Sequence, residues 1–223
     1  MLICVWDYEF GVNMFGKVAD FIKNHFNFRF YGVTWLAFAV AISIIPCLMY
    51  MPQEYGYENC LLENIQMTVL FIILVLCLTS KVNKKLFRFA ALALTLIMIR
   101  EVNCGRTLFF PIPGTYHQYY SWRDLEWKWL GKVVHFAYGL YIIFIAFIFG
   151  KKKIYIDLWE IIKNIKIPFW HMILLFFSMF MGAIAEKATN NNFIFEESFE
   201  LLFYVTLLGI IWLYSRNKDF IIE

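Results

Sequence analysis

Apolar positions in this chain run together in long blocks, and polar positions are confined to short stretches between them. A bilayer core needs roughly 20 apolar residues per crossing helix. Blocks of that order occur at Tyr31–Tyr50, Asn64–Thr79, Leu86–Asn103, Val133–Phe149, Phe169–Ala185 and Glu197–Tyr214. The pattern predicts an all-α polytopic membrane bundle with six transmembrane helices, residues 1–223 forming one integral membrane domain. The first block is the cleanest, with no charge between Phe30 and Gln53. Pro46 is expected to kink it or to mark where it leaves the hydrocarbon.

The third block has a defect. Its uncharged stretch, Phe89–Ile99, is 11 residues and covers only about 16 Å of a core about 30 Å thick. Arg88 can snorkel at one end. At the other end, "IREVNCGRTLF" sets Arg100, Glu101 and Arg106 before the apolar run resumes. A crossing helix must carry Arg100 and Glu101 at or just under the headgroups. The sixth block repeats the defect, since its end must include Glu196, Glu197 and Glu200 from "EESFE". In a helix these are i,i+3 and i,i+4 neighbours. Three such carboxylates repel unless protons, arginines or a metal compensate them.

Composition agrees with the pattern, at 61% hydrophobic residues against about 45–50% in soluble domains. The net charge of +3 is small, and its distribution is more informative. Numbering the loops alternately puts fourteen Lys and Arg on one side, including "KVNKK" and "GKKK", and six on the other. The positive-inside rule then sets both termini in the cytoplasm. Residues 1–30 become a cytoplasmic segment, and 104–132 an extracytoplasmic loop. Within that loop Tyr116–Lys132 interleaves Tyr and Trp with charges, which predicts an interfacial helix or re-entrant piece. Asp7, Glu9, Lys17, Asp20 and Lys23 break up the N-terminal region, so no cleaved signal peptide is expected there. Asn190–Asn192 reads as a loop. No basic, aromatic-interleaved soluble patch suggests nucleic acid. The abundance of Lys, Asn, Ile and Phe suggests an AT-rich bacterial coding sequence, hence a multi-pass protein of a bacterial inner membrane.

With this topology, Glu63, Gln66, Arg100, Glu101, Arg106, His135, Glu186, Glu196, Glu197 and Glu200 all fall near the outer face. Charges in a bilayer usually face a bundle interior or a wet cavity. These ten residues are therefore the candidate polar pocket, while His171 is a lone polar group in the cytoplasmic half. In chain order, "LLENIQ", "IREVNCGR", a downstream His and "FEESFELL" resemble a loosely defined group of uncharacterised bacterial polytopic inner-membrane proteins. The resemblance spans roughly residues 60–215. It implies that Glu63, Gln66, Glu101, Gly105, Arg106, His135, Glu196, Glu197 and Glu200 are family positions. Arg100 and Cys104 depart from the group's pattern, and the group supplies no chemistry to transfer.

Three function classes fit these residues. One is a non-catalytic assembly, sensor or immunity-type protein, in which Arg100 or Arg106 forms interhelical salt bridges with Glu197 or Glu200. Another is a metal-dependent enzyme acting on a lipid or lipid-linked substrate, with a divalent metal as cofactor and Glu101, His135, Glu197 and Glu200 as candidate ligands. The third is a proton- or cation-coupled transporter. No HExxH, Ser-Lys dyad or His-rich site is present among only four histidines. The expected partners are the lipid bilayer and a membrane protein or second copy. Cys60 and Cys104 both fall on the outer side, with paired and free thiols both open.

Overall fold

Helices stand at all six apolar blocks in the computed structural model, which describes residues 20, 22–115, 118–188 and 193–220. In chain order the helices are α1 Gly32–Tyr50, α2 Leu61–Thr79, α3 Lys84–Glu101, α4 Arg106–Phe109, α5 Lys128–Lys151, α6 Ile154–Asn164, α7 Phe169–Ala188 and α8 Phe193–Arg216. Four of them, α1, α2, α5 and α8, are long and apolar enough to cross a membrane. The apolar part of α7, Phe169–Ala185, is shorter. The α3 helix carries Lys84, Lys85 and Arg88 at one end and Arg100 and Glu101 at the other. The 1–30 segment lies largely outside the described residues. So do Tyr116, at the start of the aromatic segment, and Asn190–Asn192.

The bundle is built around α8, which packs against α1, α2 and α7. Half of its apolar window is buried, against none of that of α5. Small and hydroxyl residues permit this central position by letting neighbouring backbones approach. Ser198, Thr206, Gly209 and Ser215 are all buried on α8. At Gly209 the space a Cβ would need is taken by the buried imidazole of His171 on α7. Leu70 and Ile73 of α2, Ala37 of α1 and Leu202 of α8 are fully buried. The α3 helix joins through α2, and α5 lies outside against α3. There the Tyr141 hydroxyl sits 2.5 Å from Thr95 Oγ1 and 3.2 Å from the Leu92 carbonyl.

The structure departs from the sequence pattern in three places. Residues 118–127 hold no helix: the chain turns there, with an isolated antiparallel bridge between Pro111 and Tyr119. Helix α5 then starts at Lys128, earlier than the apolar block suggests. Secondly, the segment that follows "GKKK" forms the amphipathic helix α6. It buries Ile154 and leaves Tyr155, Trp159 and Ile162 exposed, a pattern suited to lying along a membrane surface. Thirdly, two residues of the N-terminal segment make a small parallel ladder. Strand β1 (Phe26–Asn27) pairs with β2 (Ile167–Pro168) just before α7.

Several contacts collect at the same end as this ladder. Arg29 pairs with Asp219 at 3.2 Å, and the Tyr31 hydroxyl donates to the same carboxylate at 3.0 Å. Trp170 Nε1 donates to the Phe28 carbonyl at 2.9 Å. The segments flanking the first and last helices therefore meet at one end.

Gly209→Ala is expected to lower stability by about 1–3 kcal/mol, as overpacking does. Adding His171→Ala should remove most of that penalty, because the ring is what the new methyl strikes. Thermal unfolding of the three variants in detergent checks this. Fully additive penalties would mean that His171 is not the obstacle.

Candidate functional site

The end of α3 explains why its charges are tolerated. After Val102, three successive residues take left-handed backbone: Asn103 (φ 49°), Cys104 (φ 55°) and Gly105 (φ 87°). Such a run ends a helix, and glycine enters it without a Cβ penalty. A Cβ at Gly105 would also lie 3.3 Å from the Phe109 ring. The turn separates Arg106 from Arg100 and Glu101 and sends the two sets of charges to different partners. Cys104 sits within this turn, and burial pushes its thiol above the ordinary range. Cys104 is a free thiol, so no disulfide joins it to Cys60.

Glu101 points into the bundle, its side chain only 8% exposed. Its Oε1 accepts a hydrogen bond from the Tyr204 hydroxyl of α8 at 2.8 Å. Arg100 donates to the same oxygen from Nη2 at 2.9 Å and from Nε at 3.2 Å. Arg100 Nη2 also reaches Glu200 of α8 at 3.7 Å. The α3 and α8 helices are thus joined by a phenol and a guanidinium around two carboxylates. Next to them lies a cavity of about 370 Å³ between α3, α7 and α8, whose lining includes Arg100, Ser178, Glu196, Glu200 and Tyr204.

A second polar tie joins α2 to α8. Gln66 is fully buried. Its Nε2 donates to the Glu197 backbone carbonyl at 2.9 Å and to Glu197 Oε2 at 2.7 Å. One turn earlier on α2, the Glu63 carboxylate accepts from the Asn59 backbone N–H. The loop leading into α2 is held close to the start of α8 by Gly56. A Cβ there would lie 2.8 Å from the backbone of Phe193 and Ile194.

Arg106 belongs to a separate group. Its Nη2 bonds both carboxylate oxygens of Glu58, at 2.9 and 3.0 Å. Asn103 Nδ2 adds a 3.4 Å bond to the same carboxylate, and Arg106 Nη1 reaches the Tyr120 carbonyl at 3.4 Å. His135 lies apart from every candidate carboxylate contact. Its Nδ1 is 2.5 Å from the Gly131 carbonyl one turn back, and its ring stands edge-on to Trp122 at 6.1 Å.

The ten candidate residues therefore divide. Gln66, Glu197, Glu101, Arg100 and Glu200 tie α8 to its neighbours, with Glu196 lining the adjoining cavity and Glu63 one turn from Gln66. Arg106 goes to Glu58, and His135 to Trp122. Glu186 stands near the end of α7, its side chain outside the described residues. Of the salt bridges expected from the sequence, Arg100–Glu200 forms, whereas Arg106 finds an acid in a loop. Among the described residues no three His, Cys, Asp or Glu side chains converge as metal ligands.

Tyr204 and Glu58 are the partners that the sequence reading missed. Tyr204 was within reach of it, because Glu197, Glu200 and Tyr204 follow i, i+3, i+7 spacing on one helical face. Glu58 offered no such signal, since its place depends on the turn before α2. No protein-family model, curated protein or solved structure matches this chain.

Replacing Gln66 by Leu leaves Glu197 buried without its donor, and a loss of about 2 kcal/mol is expected. The pair Gln66→Leu with Glu197→Leu removes both polar groups and should be clearly more stable than Gln66→Leu alone. Unfolding in detergent micelles measures both. A double variant worse than either single one would contradict the assigned pairing.

Proposed function

We propose that this chain is a non-catalytic multi-pass protein of a bacterial inner membrane, an assembly, sensor or immunity-type component. It crosses the membrane six times, α3 and α7 included, with both termini cytoplasmic. One observation carries this reading. Glu101, Glu197 and Glu200, the carboxylates in the best positions for chemistry, are already engaged by Tyr204, Gln66 and Arg100. Groups so engaged serve as interhelical ties, which a membrane interior makes worthwhile because water is not there to replace them.

Two further observations support the topology. The Arg29–Asp219 pair brings the segments before α1 and after α8 to one end, as an even number of crossings requires. Lys85 and Asp157 pair at 2.9 Å between the start of α3 and the surface helix α6. These contacts involve the lysine-rich loops that the positive-inside rule assigns to the cytoplasm. Helix α5, with no residue of its apolar window buried, offers a whole flank to lipid, a membrane protein partner or a second copy.

The runner-up is an enzyme acting on a lipid or lipid-linked substrate. The 370 Å³ cavity favours it by bringing Glu196, Glu200, Tyr204 and Arg100 to one opening. Metal analysis and stability separate the two readings. Wild type, Glu101→Gln and Glu197→Gln, purified in detergent, are expected to carry no stoichiometric metal, and both variants to unfold at lower temperature than wild type. Stoichiometric metal that vanishes in both variants would instead establish the enzyme reading.

A charge exchange probes the Arg106–Glu58 pair in the same spirit. Arg106→Glu and Glu58→Arg should each destabilise, and together they should recover much of the loss. A salt bridge tolerates exchange of its ends, whereas a catalytic arginine does not.

A further inference from the structure

A separate cavity lies outside the carboxylate ties, where the loop before α5 folds back on the first turns of that helix. Its volume is about 890 Å³, and its lining includes Arg106, Trp122, Arg123, Lys128, Lys132 and His135. Among the described residues no carboxylate belongs to its wall. Arg106 is matched by Glu58. The side chains of Arg123, Lys128 and Lys132 have no acidic partner among the described residues. The Trp122 indole N–H is buried and, among the described residues, has no acceptor. A glycine shapes this wall: at Gly131 a Cβ would lie 2.9 Å from the Trp122 Cβ. The tryptophan can therefore lie directly on α5.

A wall of cationic and neutral donors without an acid is complementary to an oxyanion bearing several acceptor oxygens. The guanidinium and ammonium groups supply charge-assisted hydrogen bonds, and an indole N–H donates only. The N-terminus of α5, a helix of 24 residues, adds the positive end of its dipole. The exposed Trp127 and Trp129 beside it are residues that favour the headgroup layer. We propose that this cavity binds a phosphate-bearing anion, with Arg123, Lys128 and Lys132 as its principal contacts. The site is independent of the carboxylate ties and does not rest on their role.

The chemistry is shared by a phospholipid headgroup and a free phosphate, so the test needs an arm for each. The full chain is reconstituted into nanodiscs of phosphatidylcholine alone or of phosphatidylcholine doped with phosphatidylglycerol. Inorganic phosphate and pyrophosphate are titrated into the first set. Thermal unfolding and lipid retention in native mass spectrometry are the readouts.

Wild type is expected to be stabilised by, and to retain, phosphatidylglycerol if the source is lipid, or to be stabilised by the soluble anions if it is not. Arg123→Gln, Lys128→Gln and Lys132→Gln should each weaken the response roughly tenfold, in line with a charge-assisted hydrogen bond, and the triple variant should abolish it. The three single variants give the answer should the triple variant not fold. A control, Lys81→Gln with Lys84→Gln and Lys152→Gln, removes the same charge elsewhere and should respond like wild type. No response to any of the anions would overturn the proposal. So would an equal response in the cavity variants, or an equal loss in the control.

Discussion

Water cannot stand in for a lost hydrogen bond inside an apolar bundle, and this chain carries carboxylates on the helix that every near neighbour packs against. The structure depends on how those groups are met. Gln66 reaches Glu197 from α2, and Glu101 with Arg100 reaches Tyr204 and Glu200 from α3. Dispersion forces between helices in lipid are not strongly directional, because lipid tails are as apolar as leucine. The polar ties provide what dispersion lacks, since each is satisfied in only one rotation and one depth of the two helices. Packing around Leu70, Ile73 and Leu202 then fills the space those ties define.

The same end of the bundle separates two kinds of charge. Glu101 and Glu197 meet Tyr204 and Gln66 between helices. Unmatched cations lie outward, around the loop that precedes α5. The turn at Asn103–Gly105 enforces the division, because three left-handed residues in succession carry the backbone off the α3 axis. Arg106 is thereby delivered to Glu58 while Arg100 stays with Glu101 and Glu200. Six residues apart in sequence, the two arginines serve different parts of the molecule.

Much of the fold could be read from the chain, because long apolar blocks leave a membrane helix few alternatives. The short uncharged stretch of α8 likewise foretold that Glu196, Glu197 and Glu200 would need compensation; Gln66 meets Glu197 and Arg100 meets Glu200. What escaped the reading depended on loops. Residues 118–127 have an aromatic-charged pattern compatible with an interfacial helix. Yet Pro111 and Tyr119 bridge across a turn, and Trp122 lies against Gly131. Helix α6 falls between two apolar blocks and is too short to register as one of them. Glu58 takes its role from where a turn happens to leave it, and spacing along the sequence carries no trace of that.

The ties between helices also have an order in time. Gln66 precedes Glu197 by 131 residues, and Glu101 precedes Tyr204 by 103. At about 5–20 residues per second of synthesis, each early polar group waits on the order of ten seconds for its partner to leave the ribosome. During that interval the Gln66 amide lacks Glu197, and Glu101, already met by Arg100 of its own helix, lacks the Tyr204 hydroxyl. The nascent chain must keep them near headgroups, near water or beside an insertion factor until then. Burial of α8 is therefore the event that commits the earlier helices to their final depth, so a chain halted before it would leave its first helices shallow and accessible to membrane quality control.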